Sequence, residues 1–176
     1  MRVISGSARG RKLVAPEGAT TRPTPDRVRE ATFNALGSLG VVQEAAVLDL
    51  FAGSGALGIE ALSRGASRAT FVDDDLSARR AIEANLAACG LTAAAEVVAS
   101  SAERFLTGVG QQRRWDLALL DPPYDFDGWP ELLLDLPATT AVLEGPKPVD
   151  PPFGWEVVRA KRYGRTHVVI ARRITV

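Results

Sequence analysis

From residue 46 to residue 144, apolar runs and amphipathic stretches alternate along the chain, each about the length of one strand or one helix. Short, largely apolar runs over 46–51, 69–72, 96–99 and 117–120 predict strands, and the run between Asp116 and Asp121 predicts a buried parallel one, because both faces of such a strand must avoid water. Between them, 56–64, 76–88 and 102–107 carry apolar residues at helical spacing, and a helix over 130–136 and a strand over 141–144 follow. This alternation predicts an α/β fold with a doubly wound, mostly parallel sheet.

The ends are built differently. Residues 3–5 and 12–15, separated by Gly6 and Gly10, predict a hairpin. Thr24 as N-cap and Pro25 at the first helical position open a helix whose apolar face is Val28, Ala31, Thr32, Ala35 and Leu36. A Pro-rich loop over 145–154 precedes an antiparallel hairpin, 156–160 with 167–171, turning near Gly164. No repeat or low-complexity linker interrupts the pattern. A single domain over 1–176 is expected, with 1–40 as a hairpin and helix extension and 41–176 as the core. A chain of 176 residues buries roughly 70% of its unfolded surface, enough for one core without staples.

Composition narrows the function classes. Hydrophobic residues make up 46% of the chain, yet no apolar run approaches the ~20 residues of a membrane span, and M-R-V-I-S-G-S has no apolar signal core. The expectation is a cytoplasmic protein with no membrane association. Cys89 and His167 are each the sole residue of their type, which leaves no intrachain disulfide and no His/Cys cluster for zinc. Cys89 before Gly90 reads as packing at a helix end, and His167 as a strand-end residue. No metal is expected.

The formal net charge of zero conceals sorting. Residues 1–30 and 156–176 together hold thirteen Lys/Arg against four Asp/Glu, whereas 44–144 hold seven against sixteen. Basic ends on an acidic body suit a polyanion contacted at the rim, with Arg2, Arg9, Arg11 and Lys12 at one end and Arg159, Lys161, Arg162 and Arg165 at the other as phosphate contacts if the termini meet.

Two segments carry chemistry. V-L-D-L-F-A-G-S-G-A-L-G over 47–58 reads as strand, glycine turn and helix start, and Gly53, Gly55 and Gly58 satisfy G-x-G-x-x-G, which permits a tight turn, close backbone approach to a ligand and close helix–strand contact. Asp49 interrupts that strand. A stranded carboxylate at such depth costs several kcal/mol, so Asp49 is expected to face the ligand end and find donors, where an ammonium or sulfonium ligand would suit it. Asp73, at the tip of the next strand and about twenty residues past the glycines, is where a ribose diol is held by a carboxylate. Asp74 and Asp75 read instead as a solvated turn and helix cap.

The second segment is L-L-D-P-P-Y over 119–124. Ligands of open α/β sheets bind beyond the carboxyl ends of the strands, which places this motif at the ligand edge. Pro122 and Pro123 stiffen the loop and leave carbonyls to accept hydrogen bonds. The exocyclic amine of a base is a poor nucleophile because its lone pair is delocalised. Asp121 and the Pro122 carbonyl can accept its two N–H bonds and turn the lone pair toward an electrophilic methyl, while Tyr124 offers a stacking face worth about 1–3 kcal/mol.

On these segments, together with R-V-I-S-G-S-A-R-G-R-K-L at the start, R-P-T-P-D-R-V-R-E-A-T-F-N over 22–34, I-E-A-L-S-R-G-A over 59–66 and Y-G-R-T over 163–166, the chain resembles the RsmD family of bacterial methyltransferases. The resemblance implies a Rossmann-like class I fold with a seven-stranded sheet, S-adenosyl-L-methionine (AdoMet) as cofactor, and transfer of a methyl group to the N2 amine of a guanine in 16S ribosomal RNA. It implies catalytic roles for Asp121, Pro122 and Tyr124. The cofactor set is Asp49, Phe51, Gly53, Gly55, Gly58, Asp73, Ser101 and Ala102. Relatives often carry Asp or Asn near the adenine after the third strand; here Ser100 and Ser101 stand there, so the contact falls to a hydroxyl or a backbone N–H. Substrate contacts are expected from Pro123, Arg9, Arg11, Lys12, Arg22, Arg162 and Arg165, on 16S rRNA or the assembling small subunit, by a monomer. The stretch over 129–152 is short for the family. Two other readings stay open from the residues alone: an adenine-N6 methyltransferase on DNA or RNA, and a non-catalytic RNA-binding protein of ribosome assembly.

Overall fold

The structure is a computed structural model describing residues 1–18 and 25–174. Its elements follow the alternation read from the sequence: α1 (Asp26–Ser38), β1 (Ala46–Leu50), α2 (Ala56–Ser63), β2 (Arg68–Asp73), α3 (Leu76–Cys89), β3 (Ala95–Ala99), α4 (Ala102–Thr107), β4 (Trp115–Leu120), α5 (Trp129–Asp135), β5 (Ala138–Gly145), β6 (Trp155–Tyr163) and β7 (Thr166–Arg173). All seven strands join one sheet in the order β3-β2-β1-β4-β5-β7-β6. The first five run parallel, and β7 enters antiparallel to β5 and to β6.

Alternation along each strand divides the core into two layers. Val47, Leu117, Leu119, Val142, Val168 and Ile170 pack with α1, α2 and α3, whereas Leu48, Leu50, Ala118, Leu120, Leu143 and Val169 pack with α4 and α5. β1 is buried along its whole length, as a central parallel strand requires. Arg29 is missing from the predicted face of α1 and is nonetheless buried with Phe33, because its guanidinium lies beside the buried Glu60 carboxylate at 3.7 Å and donates to Asp26 and to the Arg2 carbonyl. Thr24 lies outside the described residues, and Pro25 (φ −56°, ψ 141°) takes the cap position, so that the helix starts at Asp26, one residue later than expected.

The amino-terminal hairpin is looser than predicted. One isolated bridge, Arg2 with Lys12, and the bonds Val3 N–H to Arg11 O and Gly10 N–H to Val3 O replace two regular strands. Its polar backbone is satisfied by α2 and α3 instead. Glu60 accepts from the N–H groups of Ile4 (2.8 Å) and Ser5 (3.1 Å), and the Ser63 hydroxyl accepts from Ala8 N–H (2.9 Å). Gly6 sits so close to the Ser63 backbone that a Cβ there would overlap it, which fixes the tip of the hairpin beside the carboxyl end of α2.

Candidate active site

The carboxyl ends of β1, β2 and β4 lie side by side, since Leu50 pairs with Val72 on one side and with Leu120 on the other. The glycine turn, Asp73 and Asp121 therefore emerge at one sheet edge. The antiparallel pairing of Gly145 with His167, and of His167 with Arg162, brings the Tyr163–Thr166 turn to the same edge.

The three glycines do three different things. Gly53 has φ 55°, and an added Cβ there meets only the Phe51 carbonyl at 3.9 Å, so open space lies beside its backbone. Gly55, at φ 74°, occupies the cap position of α2 and turns toward Ile82 and Phe71. Gly58 admits no side chain at all: a Cβ would stand 2.3 Å from the Phe71 ring and 2.9 Å from Asp49 Oδ2. Phe51, directly before the turn, is held at φ 59°, an uncommon conformation for a non-glycine residue and one that clusters at functional sites.

Asp49 finds a donor at the glycine turn, from beneath it. It shares the β1 face with Val47, so its carboxylate points under α2 rather than out of the sheet edge; it is 1% exposed, and Oδ2 accepts from Gly58 N–H at 2.8 Å. Burial pushes its carboxyl well above the usual range, the Gly58 bond opposes this, and the Asp121 and Asp73 charges push further up. Two further carboxylates thus act on Asp49 across the turn. That surplus of negative charge complements a cationic ligand, and open backbone at Gly53 beside an acid at Asp73 suits a sulfonium nucleoside such as AdoMet.

Asp73 already has work. Its Oδ2 accepts from Gly53 N–H (2.8 Å) and its Oδ1 from Asp75 N–H (2.9 Å), which locks the acid to the turn and leaves the remaining lone pairs for hydroxyls. Asp75 is the N-cap of α3, accepting from Ser77, and those bonds lower its carboxyl. Ser101 caps α4 through Arg104 N–H at 3.3 Å, with Ala102 buried behind it.

The D-P-P-Y loop leaves β4 at Leu120. Asp121 is half-buried, Pro122 buried, Pro123 exposed, and Tyr124 is 64% exposed. One sequence expectation needs correction: the Pro123 carbonyl is not free, because Phe126 N–H donates to it at 3.0 Å and closes the turn. The Phe126 ring packs edge-on against Phe51 (5.3 Å between centroids) and against Trp129 (5.3 Å), so aromatic contacts join the loop to the glycine turn. No sequence reading singled out Phe126. Its signal, an aromatic two residues past D-P-P-Y, is too common to stand out.

The basic ends are not gathered at one place. Arg162 and Arg165 are exposed at the β6–β7 turn, on the ligand edge. Arg9 stands at the hairpin tip and Arg11 acts on the Cys89 thiol at the carboxyl end of α3, both toward the opposite edge, because Gly6 docks on Ser63; Lys12 is exposed opposite Arg2. Arg22 lies outside the described residues. Burial raises the Cys89 thiol, in keeping with a packing role. Among the described residues no cluster of His, Cys, Asp and Glu could hold a metal, and no helix is long and apolar enough to cross a membrane.

This sheet order and glycine edge define a Rossmann-like methyltransferase fold. A solved structure of yhhF from Escherichia coli superposes with a TM-score of 0.84 at 38% identity, over 98% of this chain and 97% of that one. The model of the family described as Conserved hypothetical protein 95 matches residues 1–172, and the chain belongs to that family, the RsmD family. It is 47% identical over 125 residues to YlbH of Bacillus subtilis (strain 168), covering 70% of this chain and 67% of that protein. To Ribosomal RNA small subunit methyltransferase D of Escherichia coli (strain K12) it is 44% identical over 124 residues, covering 70% of this chain and 60% of that protein.

Proposed function

We propose that this protein is an AdoMet-dependent methyltransferase acting on the exocyclic N2 amine of a guanine in 16S ribosomal RNA. The observation that carries the reading is the position of Asp121-Pro122, which leave β4 at the edge that also presents the glycine turn, with Asp121 close enough to raise the Asp49 carboxyl. An amine held there faces whatever the turn holds. The name of the E. coli relative supports ribosomal RNA as the substrate class.

AdoMet, when bound, supplies a methyl group made electrophilic by a sulfonium. The rest is done by this chain. Gly53 lets the cofactor approach the backbone, Asp73 accepts from ribose hydroxyls, Phe51 and the Ser101-Ala102 turn flank the cofactor, and Asp49 holds the start of α2 from beneath the turn by accepting from Gly58 N–H. Asp121 and the Pro122 carbonyl accept the two N–H bonds of the amine, which directs its lone pair at the cofactor side. Tyr124, exposed at the tip, stacks on the base once it is unstacked from the RNA. Arg162 and Arg165 contact phosphates beside the site, while Arg9, Arg11 and Lys12 line the helical flank. The protein acts in the cytoplasm, as a monomer, on rRNA or an assembling small subunit.

Incubation with labelled AdoMet and 16S rRNA, free and within small-subunit particles, followed by nucleoside analysis tests this directly. Label on N2-methylguanosine is expected. Label on N6-methyladenosine, or none with either substrate while the cofactor binds, would overturn it.

A further inference from the structure

Arg29, Glu60, Ser63 and Asn85 all dock the amino-terminal segment on the core. Of these, Asn85 alone also touches the glycine turn. It lies on α3, is 1% exposed, and uses its whole amide. Its Oδ1 accepts from Val14 N–H at 2.8 Å, and its Nδ2 donates to the Val14 carbonyl at 2.9 Å and to the Ser54 carbonyl at 2.9 Å. The Ser54 carbonyl belongs to the peptide whose N–H, that of Gly55, is bonded to Ala52 O at 2.7 Å. One peptide of the turn is therefore fixed at both ends, and one of those ends hangs on the residue that also holds Val14. The Ser54 hydroxyl lies 3.9 Å from Met1 Sδ, a second touch between the same two segments.

A buried amide with three short bonds to two separate backbones is expensive to disturb, because any shift of the turn strands a donor or acceptor on the other side. We propose that Asn85 is a positioning residue that couples the docking of residues 1–14 to the conformation of the glycine turn, so that filling the cofactor site tightens the amino-terminal segment. This rests on the cofactor reading above. Coupling of this kind is reciprocal: if the cofactor stabilises the docked segment by some factor, the docked segment strengthens cofactor binding by the same factor.

Amide hydrogen exchange on the full chain, with S-adenosylhomocysteine as probe, tests it. In the parent, the probe should slow exchange at Gly53 and Gly55 and also, by about tenfold, at Leu13 and Val14, which lie outside the cofactor site. In Asn85→Leu, protection at the glycines should persist while that at Leu13 and Val14 disappears. Should Asn85→Leu fail to fold, Val14→Pro, which deletes one bond at a half-exposed position, should weaken probe binding severalfold without touching the turn. Protection confined to the glycines in the parent, or equal protection of Val14 with and without the Asn85 amide, would overturn the inference. No protection at the glycines would overturn the cofactor reading itself and this coupling with it.

Discussion

Replacing Gly58 by Ala adds one methyl group where the structure has no room for it. The new Cβ would stand 2.3 Å and 2.8 Å from two carbons of the Phe71 ring and 2.9 Å from Asp49 Oδ2. Neither neighbour can yield cheaply: Phe71 is fully buried, and Asp49 is held by the Gly58 N–H. Overpacking of this kind costs about 1–3 kcal/mol, and the upper part of that range applies because both neighbours are rigid. Ala gains about 1 kcal/mol over Gly within a helix, which leaves a net loss of about 1–2 kcal/mol. For a domain of this size, thermal melting of the protein without ligand should then fall by about 2–8 °C. Gly53→Ala is the contrast. Its Cβ enters open space, so only the positive φ, worth about 1–2 kcal/mol, acts on the free protein. Ligand contact should suffer instead. At a hundredfold excess over Kd a ligand stabilises by about 2.7 kcal/mol, and S-adenosylhomocysteine should raise the melting temperature of the parent and of Gly58→Ala more than that of Gly53→Ala. A Gly58→Ala protein that melts with the parent, or a Gly53→Ala protein with the parent's full ligand-dependent rise, would refute the division of labour among these glycines.

Asp73→Ala should weaken AdoMet by about 1.5–3 kcal/mol in calorimetry; because Gly53 N–H and Asp75 N–H lose their acceptor as well, the free protein should melt lower, and an unchanged Kd would move the ribose elsewhere. Asp49→Asn addresses pH: a carboxyl raised by burial contributes its full stability below the ordinary Asp value of about 3.9 and loses it as pH climbs through the folded value, so the Asn variant without ligand should gain on the parent from pH 4 toward neutrality, and superimposable melting profiles would count against the buried-charge argument. Removing Arg162 and Arg165 should lower RNA affinity and flatten its salt dependence by about 0.7–0.9 log units per lost contact, with AdoMet binding intact; a parental salt slope would make this turn mere solvated surface. Asp121→Ala should lower single-turnover methylation by about 10²–10³ with AdoMet affinity hardly changed, whereas Tyr124→Phe should keep most activity and Tyr124→Ala lose it.

Periodicity placed nearly every element, with ends shifted by a few residues: β5 runs over Ala138–Gly145 rather than 141–144, because its pairing with β4 and β7 extends beyond its apolar stretch. Legible too were the glycines, Asp73 and D-P-P-Y, which sit where strand ends must present ligands. What stayed hidden depends on tertiary partners. Arg29 and Glu60 look like solvated charges on helices, and only docking of residues 1–8 buries them together. Asn85 stands 31 residues from Ser54 and 71 from Val14, and no local pattern joins them. Asp49 finds a donor at the ligand end, the Gly58 N–H, but strand alternation sets its carboxyl beneath the start of α2, and only the fold shows that facing.

Charge sorting along the chain gains its meaning only through topology. β5 and β6 both pair antiparallel with β7, so β6 runs in the same direction as β1, β2 and β4, and the β6–β7 turn that carries Arg162 and Arg165 lies at the edge where those strands end. The same edge collects Asp49, Asp73 and Asp121, so cation-seeking and anion-seeking groups share one rim while differing in depth: the carboxyls are buried or half-buried, and the guanidiniums exposed. Buried charge feels a low dielectric and acts at short range on a small ligand held against it, whereas exposed charge is screened within about 8–10 Å and serves a polyanion that brings many phosphates at once. A small cationic cofactor beneath and a large anionic substrate above, as the proposed function has them, is the arrangement in which both sets of charges are satisfied together, in a chain of zero net charge.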